Sequence, residues 1–182
     1  KLNFIRSFFW KVSNKKIHKV FCPTKLTKDL LIEKKIFDKN KIFVIHDPVI
    51  YVKKINKKMK EKKDFLLNKK YVVTIGRLSK QKNYKFLINN FKLILEKNPK
   101  LILVILGEGE ECNVLKKTIT NLNLDKSIIL SGFQENIYPI LKNAEFFVLT
   151  SNWEDPGFVI IESMFAKKII LLHPWFDAVR FG

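Results

Sequence analysis

Residues 146–165 read F-F-V-L-T-S-N-W-E-D-P-G-F-V-I-I-E-S-M-F. The apolar run Phe146–Leu149 predicts a strand, and the second apolar run predicts a helix, with a polar loop between them. Asp155 is a good N-cap and Pro156 suits the first helical position, where no backbone donor is needed. Gly157 has no side chain to keep a ligand off the backbone. The amides of Gly157, Phe158 and Val159 then face out of the helix start, at the positive end of its dipole, which makes an anion site. Glu154 stands in the loop before the helix, and Glu162 lies about one turn inside it. On spacing alone, a capped helix with a solvated glutamate accounts for the same residues.

Working back from this unit, strands and helices alternate. Strands are predicted at Tyr71–Ile75, Leu101–Leu106, Ser127–Leu130 and Ile169–Leu172, with helices at Asn83–Lys97, Glu110–Leu122 and Asn136–Lys142. The almost purely apolar Leu101–Leu106 is what a strand covered on both faces needs. Alternation of this kind implies right-handed crossovers and a parallel sheet. The fold class is therefore α/β, a Rossmann-like parallel sheet with helices on both faces, preceded by a partial second α/β domain. That earlier part carries an amphipathic helix over residues 1–14, a strand at Val20–Cys22, a helix capped by Thr24 or Thr27 and running to about Lys35, and a strand at Ile42–Ile45 ended by His46-Asp47-Pro48. Lys53–Lys63 is a charge run with few core-forming residues and reads as a solvated linker. The expected domains are residues 1–52, a linker at 53–69, and residues 70–182, truncated at the C-terminal end.

The chain has 182 residues and a net charge of +18. Residues 1–70 hold 21 Lys and Arg against 6 Asp and Glu, and residues 71–182 hold 14 against 11. This imbalance leaves two readings open: a peripheral contact with an anionic membrane through residues 1–63 of an enzyme, or, as the alternative for the whole chain, a basic binding module for nucleic acid or anionic membrane without catalysis, or an inactive fragment. The abundance of Lys, Ile, Asn and Phe also fits an AT-rich coding bias, which explains part of the charge without function. No nucleic acid is expected, because no aromatic stacking platform accompanies the basic run. No apolar run approaches the roughly 18 residues of a membrane span. Cys22 and Cys112 have no metal or redox spacing, which fits a reducing, cytoplasmic location.

Ligands of a parallel sheet bind beyond the carboxyl ends of its strands. The loops that gather there carry Gly76, Arg77 and Lys82, then Gly107 and Gly109, then Phe133 and Gln134, then Glu154 and Gly157. An arginine fork and a lysine point charge suit a diphosphate. Glycines permit close backbone approach. Exposed backbone beside an aromatic at Gly132-Phe133-Gln134 suits a base. Each feature alone has a plainer explanation: Arg77 and Lys82 as a solvated face, Phe133 as core. As a dinucleotide fingerprint the stretch at Gly107 is weak, since the third glycine is missing.

The stretches V-T-I-G-R-L-S-K-Q-K-N at 73–83, L-G-E-G-E-E at 106–111, L-S-G-F at 130–133 and S-N-W-E-D-P-G-F-V-I-I-E-S-M at 151–164 together resemble the retaining glycosyltransferases of family 4, which have the GT-B architecture. Glu154 and Glu162 bracket seven residues, as that family's paired glutamates do. The resemblance implies the following roles. Arg77 and Lys82 neutralise the diphosphate of a nucleotide-sugar donor, and Glu154 orients the donor sugar. Glu162 accepts hydrogen bonds from the ribose hydroxyls. The backbone of Gly157, Phe158 and Val159 holds phosphate and sugar oxygens, Gly76 and Gly107 let the donor approach, and Phe133 and Gln134 recognise the base. It also implies a glycan or lipid-linked acceptor in surface polysaccharide or lipopolysaccharide synthesis, no cofactor and no metal. The family's acceptor-site glycine-rich loop and histidine have no counterpart here, so the chain reads as a fragment carrying mostly the donor half. His18, His46 and His173 read as structural or surface residues. Lys167-Lys168 and His173–Asp177 depart from the family pattern.

Overall fold

The structure is a computed structural model and describes residues 4–45, 51–61, 66, 68–154 and 157–173. The chain divides into two compact units, one formed chiefly by the first 48 residues and one by residues 49–179.

The first unit contains α1 (Phe4–Ser13), β1 (Val20–Cys22), α2 (Lys25–Glu33), a 3-10 turn at Lys39–Lys41 and β2 (Ile42–Val44). The two strands are parallel, with Val20 opposite Ile42 and Cys22 opposite Val44, and α2 makes the crossover. Thr24 is the N-cap: its Oγ1 accepts from the Thr27 amide at 3.1 Å. Cys22, Leu31, Ile36, Phe37 and Ile42 form the core on one face of this ribbon. Phe21 and Phe43, on the other face, are exposed and lie beside each other, with ring centroids 5.9 Å apart and the planes tilted by 41°. In α1, Ile5, Phe8, Phe9 and Val12 are exposed, and their spacing puts them on one side of the helix. His46-Asp47-Pro48, expected to end the strand, lies outside the described residues.

The second unit runs α3 (Val52–Lys58), β3 (Tyr71–Ile75), α4 (Tyr84–Lys97), β4 (Ile102–Leu106), α5 (Cys112–Asn121), β5 (Ile128–Leu130), α6 (Tyr138–Asn143), β6 (Phe147–Leu149), α7 (Phe158–Phe165) and β7 (Ile170–Leu172). Its five strands are all parallel, in the order β5-β4-β3-β6-β7. Alternate residues of one strand enter different cores, as the pleat requires. Val73, Val104, Leu106 and Phe147 pack with Ile140 and Leu141 of α6 and Ile160 of α7. Val72, Leu103 and Ile105 pack with Leu87, Ile88 and Phe91 of α4 and Leu115 and Ile119 of α5. Helices therefore cover both faces of the sheet, as the apolar β4 sequence leads one to expect. Among the described residues, no helix is long and apolar enough to cross a membrane.

The lysine-rich stretch differs from the solvated linker that its charge suggests. Val52–Lys58 is helical, Ile55 is buried, and Met59 packs against the first of the two cores. Asn136 of the second unit ties this segment down, donating to the Lys58 carbonyl at 2.9 Å and to Glu61 Oε2 at 2.6 Å. A few apolar residues at helical spacing are enough to dock a short helix whose lysines stay in water.

Phe147 is fully buried in β6, between β3 and β7. Phe147→Ala should lower the unfolding free energy by about 3–5 kcal/mol, read from denaturant melts. Phe43→Ala, which removes the cross-strand ring pair on the outer face of the first unit, should cost much less, about 1 kcal/mol or below.

Candidate active site

The strand order sets where the site lies. From β3 the chain steps outward to β4 and β5, then returns to the other side of β3 to form β6. The loops leaving β3 and β6 therefore emerge side by side at the switch point of the sheet, where open α/β folds bind ligands. Polar bonds stitch these two loops together. Thr150 Oγ1 donates to the Lys82 carbonyl at 3.0 Å, and the Asn152 amide donates to the Gln81 carbonyl at 2.9 Å. Gln81 Nε2 donates to the Trp153 carbonyl at 2.9 Å. A 3-10 turn at Lys80–Lys82 ends at Asn83 in the left-handed conformation (φ 53°), which asparagine tolerates better than most residues.

This stitching turns Lys82 inward. Its Nζ meets Glu154 Oε1 at 2.5 Å, and the two side chains are only 12% and 8% exposed. Ser151 Oγ donates to the same carboxylate oxygen at 2.5 Å. Removing one member of so buried a pair leaves the other's charge uncompensated, at a cost of about 3–5 kcal/mol. An ammonium has three donors, so Lys82 can keep Glu154 and still accept an anionic ligand. Gly76 makes room for the lysine stem: a Cβ there would lie 2.5 Å from Lys82 Cε.

The carboxylate of Glu154 is carried to the start of α7. Gly157 is the N-cap, with φ 72°, and a Cβ on it would sit 3.1 Å from Glu154 Cβ. The helix thus begins at Phe158, later than a start capped by Asp155 with Pro156 at its first position, and those two residues lie outside the described ones. The cap has no side-chain hydrogen bond. Phe158 and Val159 occupy the first two helical positions, whose amides have no acceptor within the helix. Lys82, Glu154 and the α7 start converge on one spot.

Arg77 is held elsewhere. Its Nε donates to Glu110 Oε2 at 3.1 Å, and both side chains are mostly exposed, at 75% and 57%. A backbone hydrogen bond, and then Arg77, hold the Glu110 carboxyl below its usual range. The expected partnership of Arg77 with Lys82 is therefore divided: the lysine is buried on Glu154 and the arginine lies on the surface. Arg77 does line a cleft of about 320 Å³ whose other walls include Gly76, Leu106, Gly107, Phe133, Gln134 and Ile137. Phe133 is 70% exposed there. Its amide donates to Glu108 Oε1 at 3.4 Å, and Gln134 Nε2 donates to the Ser131 carbonyl at 3.0 Å. Gly107 serves the protein itself: a side chain on it would strike the Gly76 carbonyl, so the glycine lets the tips of β3 and β4 touch.

Glu162 makes a separate contact. Tyr138 OH donates to its Oε1 at 2.9 Å. Burial pushes the Glu162 carboxyl up, and the tyrosine bond pulls it back down. Burial, and then the nearby carboxylate, push the Tyr138 phenol up. Sequence reasoning missed Tyr138, Ser151 and Glu108. Ser151 had a local signal, the S-x-x-E spacing of a capping box. Glu108 sits inside the L-G-E-G-E-E motif, while Tyr138 lies in a short helix with no motif of its own.

Residues 55–178 match the family described as "Glycosyl transferases group 1". An uncharacterized glycosyltransferase of Methanocaldococcus jannaschii is 42% identical over 92 residues, which is 50% of this chain and 23% of that protein. The UDP-Gal:alpha-D-GlcNAc-diphosphoundecaprenol alpha-1,3-galactosyltransferase of Escherichia coli is 37% identical over 153 residues, 80% of this chain and 40% of that protein. The chain thus spans less than half the length of either relative. Among solved structures, the pneumococcal O-GlcNAc transferase GtfA in complex with UDP and GlcNAc superposes with a TM-score of 0.72 at 21% identity, over 99% of this chain and 34% of that one. That likeness is one of fold, and the fold is that of the GT-B glycosyltransferases. With the family match over more than half its length, the chain belongs to the group 1 glycosyl transferases, the family-4 type.

Proposed function

We propose that this chain forms the donor-binding half of a retaining glycosyltransferase, which moves a sugar from a nucleoside-diphosphate sugar to a glycan or lipid-linked acceptor. The convergence of Lys82, Glu154 and the α7 start carries this reading. The diphosphate lies against the amides of Gly157, Phe158 and Val159 and takes the ammonium of Lys82. Arg77 swings off Glu110 to a second phosphate; its long exposed side chain makes that movement cheap. The base enters the cleft between Gly76, Gly107, Phe133 and Gln134. Glu162 takes the ribose hydroxyls, and Glu154 faces the sugar.

In the reaction the anomeric C–O bond breaks, and its electron pair leaves with the diphosphate. The acceptor hydroxyl oxygen bonds to the anomeric carbon on the face just vacated, and its proton passes to the departing phosphate oxygen. Lys82, Arg77 and the helix amides stabilise charge that grows on the leaving group. The Glu154 carboxylate lies where positive character develops on the sugar.

The E. coli relative's name, with a UDP sugar and a diphosphoundecaprenol-linked acceptor, supports a lipid-linked acceptor; the pathway we propose for this chain is surface polysaccharide or lipopolysaccharide synthesis, at the inner face of the cell membrane. An anionic membrane contact through residues 1–63 fits that acceptor. No acidic residue precedes Asp29, and α1 exposes Phe8, Phe9 and Val12 beside Arg6 and Lys11.

Calorimetric titration with UDP and GDP tests the donor site. One of them should bind, and Lys82→Ala and Arg77→Ala should each weaken binding by about tenfold or more. Binding untouched by both substitutions would reject the assignment. Sedimentation with phosphatidylglycerol vesicles tests the membrane contact. The chain should co-sediment, and Phe8→Ser with Phe9→Ser should release it; an unbound wild type would end that part of the proposal.

A further inference from the structure

Glu162 is asked to receive a ribose, yet a glutamate on a helix has three rotatable side-chain bonds, and burial works against its ionised form. Something must hold the carboxylate still and keep it an acceptor. The geometry points to Tyr138 as the positioning residue for Glu162, setting the preference of the site for ribonucleotides over deoxyribonucleotides. This inference rests on the donor-site reading above.

The framework behind Tyr138 is fixed. Its amide donates to Asn136 Oδ1 at 3.2 Å. Asn136 is itself buried and anchored on the Lys58 carbonyl and on Glu61. Pro139, the next residue, is buried in the first turn of α6. A tyrosine side chain has few rotatable bonds, so an anchored backbone largely fixes its hydroxyl. That hydroxyl donates to Glu162 Oε1 at 2.9 Å. The neutral phenol is the donor, and burial favours the neutral form.

The bond also leaves the right capacity free. A carboxylate has about four acceptor positions, and Tyr138 uses one. Two vicinal hydroxyls of a ribose each need one acceptor, and Oε2 together with the second lone pair of Oε1 supplies them. A hydrogen bond from a neutral donor favours the ionised carboxyl over the protonated one, so Tyr138 keeps Glu162 acceptor-only. The location agrees with this role, since Ile137, the preceding residue, lines the cleft assigned to the base. A nucleotide without its 2′-hydroxyl leaves one of those acceptors unused. Sites built to pair with a hydroxyl discriminate strongly against its absence.

The test compares UDP, GDP and ADP with their 2′-deoxy counterparts by calorimetry, on wild type, Tyr138→Phe, Glu162→Gln and the double variant. Wild type should bind one ribonucleotide about tenfold or more tighter than its deoxy form. Tyr138→Phe should weaken the ribonucleotide and leave the deoxynucleotide nearly unchanged, which shrinks the ratio to a few-fold. In the Glu162→Gln background the same change should leave the ratio where it is, because Tyr138 acts through that carboxylate. Equal weakening of both forms, or an unchanged ratio in Tyr138→Phe, would overturn the inference and leave the donor site standing. A wild type that binds none of the six nucleotides would overturn the donor-site reading and this inference with it.

Discussion

A lysine and a glutamate meet out of the reach of most water, each supplied by a loop from a neighbouring strand. Lys82 and Glu154 are 72 positions apart in sequence, and their contact joins the end of β3 to the start of α7. Both groups lose most of their hydration on burial, and only good geometry compensates for that. The geometry here comes from the stitched loops: Thr150 and Asn152 fix the backbone around Lys82, Ser151 adds a second donor to Glu154, and Gly76 leaves space for the lysine stem. A charged pair built so carefully beside a helix start is a costly arrangement for stability alone. In the proposed donor site the lysine also shares its charge with a phosphate.

The parallel sheet makes this arrangement available. Its strand order brings β3 and β6 together after an excursion through β4 and β5, so residues remote in sequence arrive at one rim. The two cores on either side of the sheet hold the strands rigidly and leave chemistry to the loops. Glycines serve the same end in an unexpected way. Gly107 and Gly109 admit the backbone of the β3 loop, at Gly76 and Leu78, so they bring loops together before they bring a ligand close.

Much of this was legible from residue order. The apolar run at Leu101–Leu106 announced a strand buried on both faces, and β4 is one. Thr24 and Thr27 both offered themselves as the cap of the next helix, and Thr24 is the cap. Periodicity carries this information because it reflects which face meets the core. The Lys53–Lys63 run misled, since charge dominates a composition reading while Ile55 and Met59 decide the packing. Around the site, sequence could gather Lys82, Glu154 and Gly157 on one edge of the sheet but not pair the lysine with the glutamate. The division of Arg77 from Lys82 depends on Glu110, which reaches Arg77 across strand tips. The Tyr138–Glu162 bond is a tertiary contact between two helices, and no local spacing encodes it. The helix start shifted to Gly157 for a related reason: a left-handed glycine and the close approach of Glu154 fix it, whereas the sequence offered Asp155 and Pro156.

The most direct test of the central claim is a crystal structure of the chain with UDP or GDP bound. A diphosphate oxygen should lie about 3 Å from Lys82 Nζ, with a second oxygen on the amides that open α7 and Glu154 still beside the lysine. A diphosphate seated away from the α7 start, with Lys82 touching only Glu154, would contradict that claim.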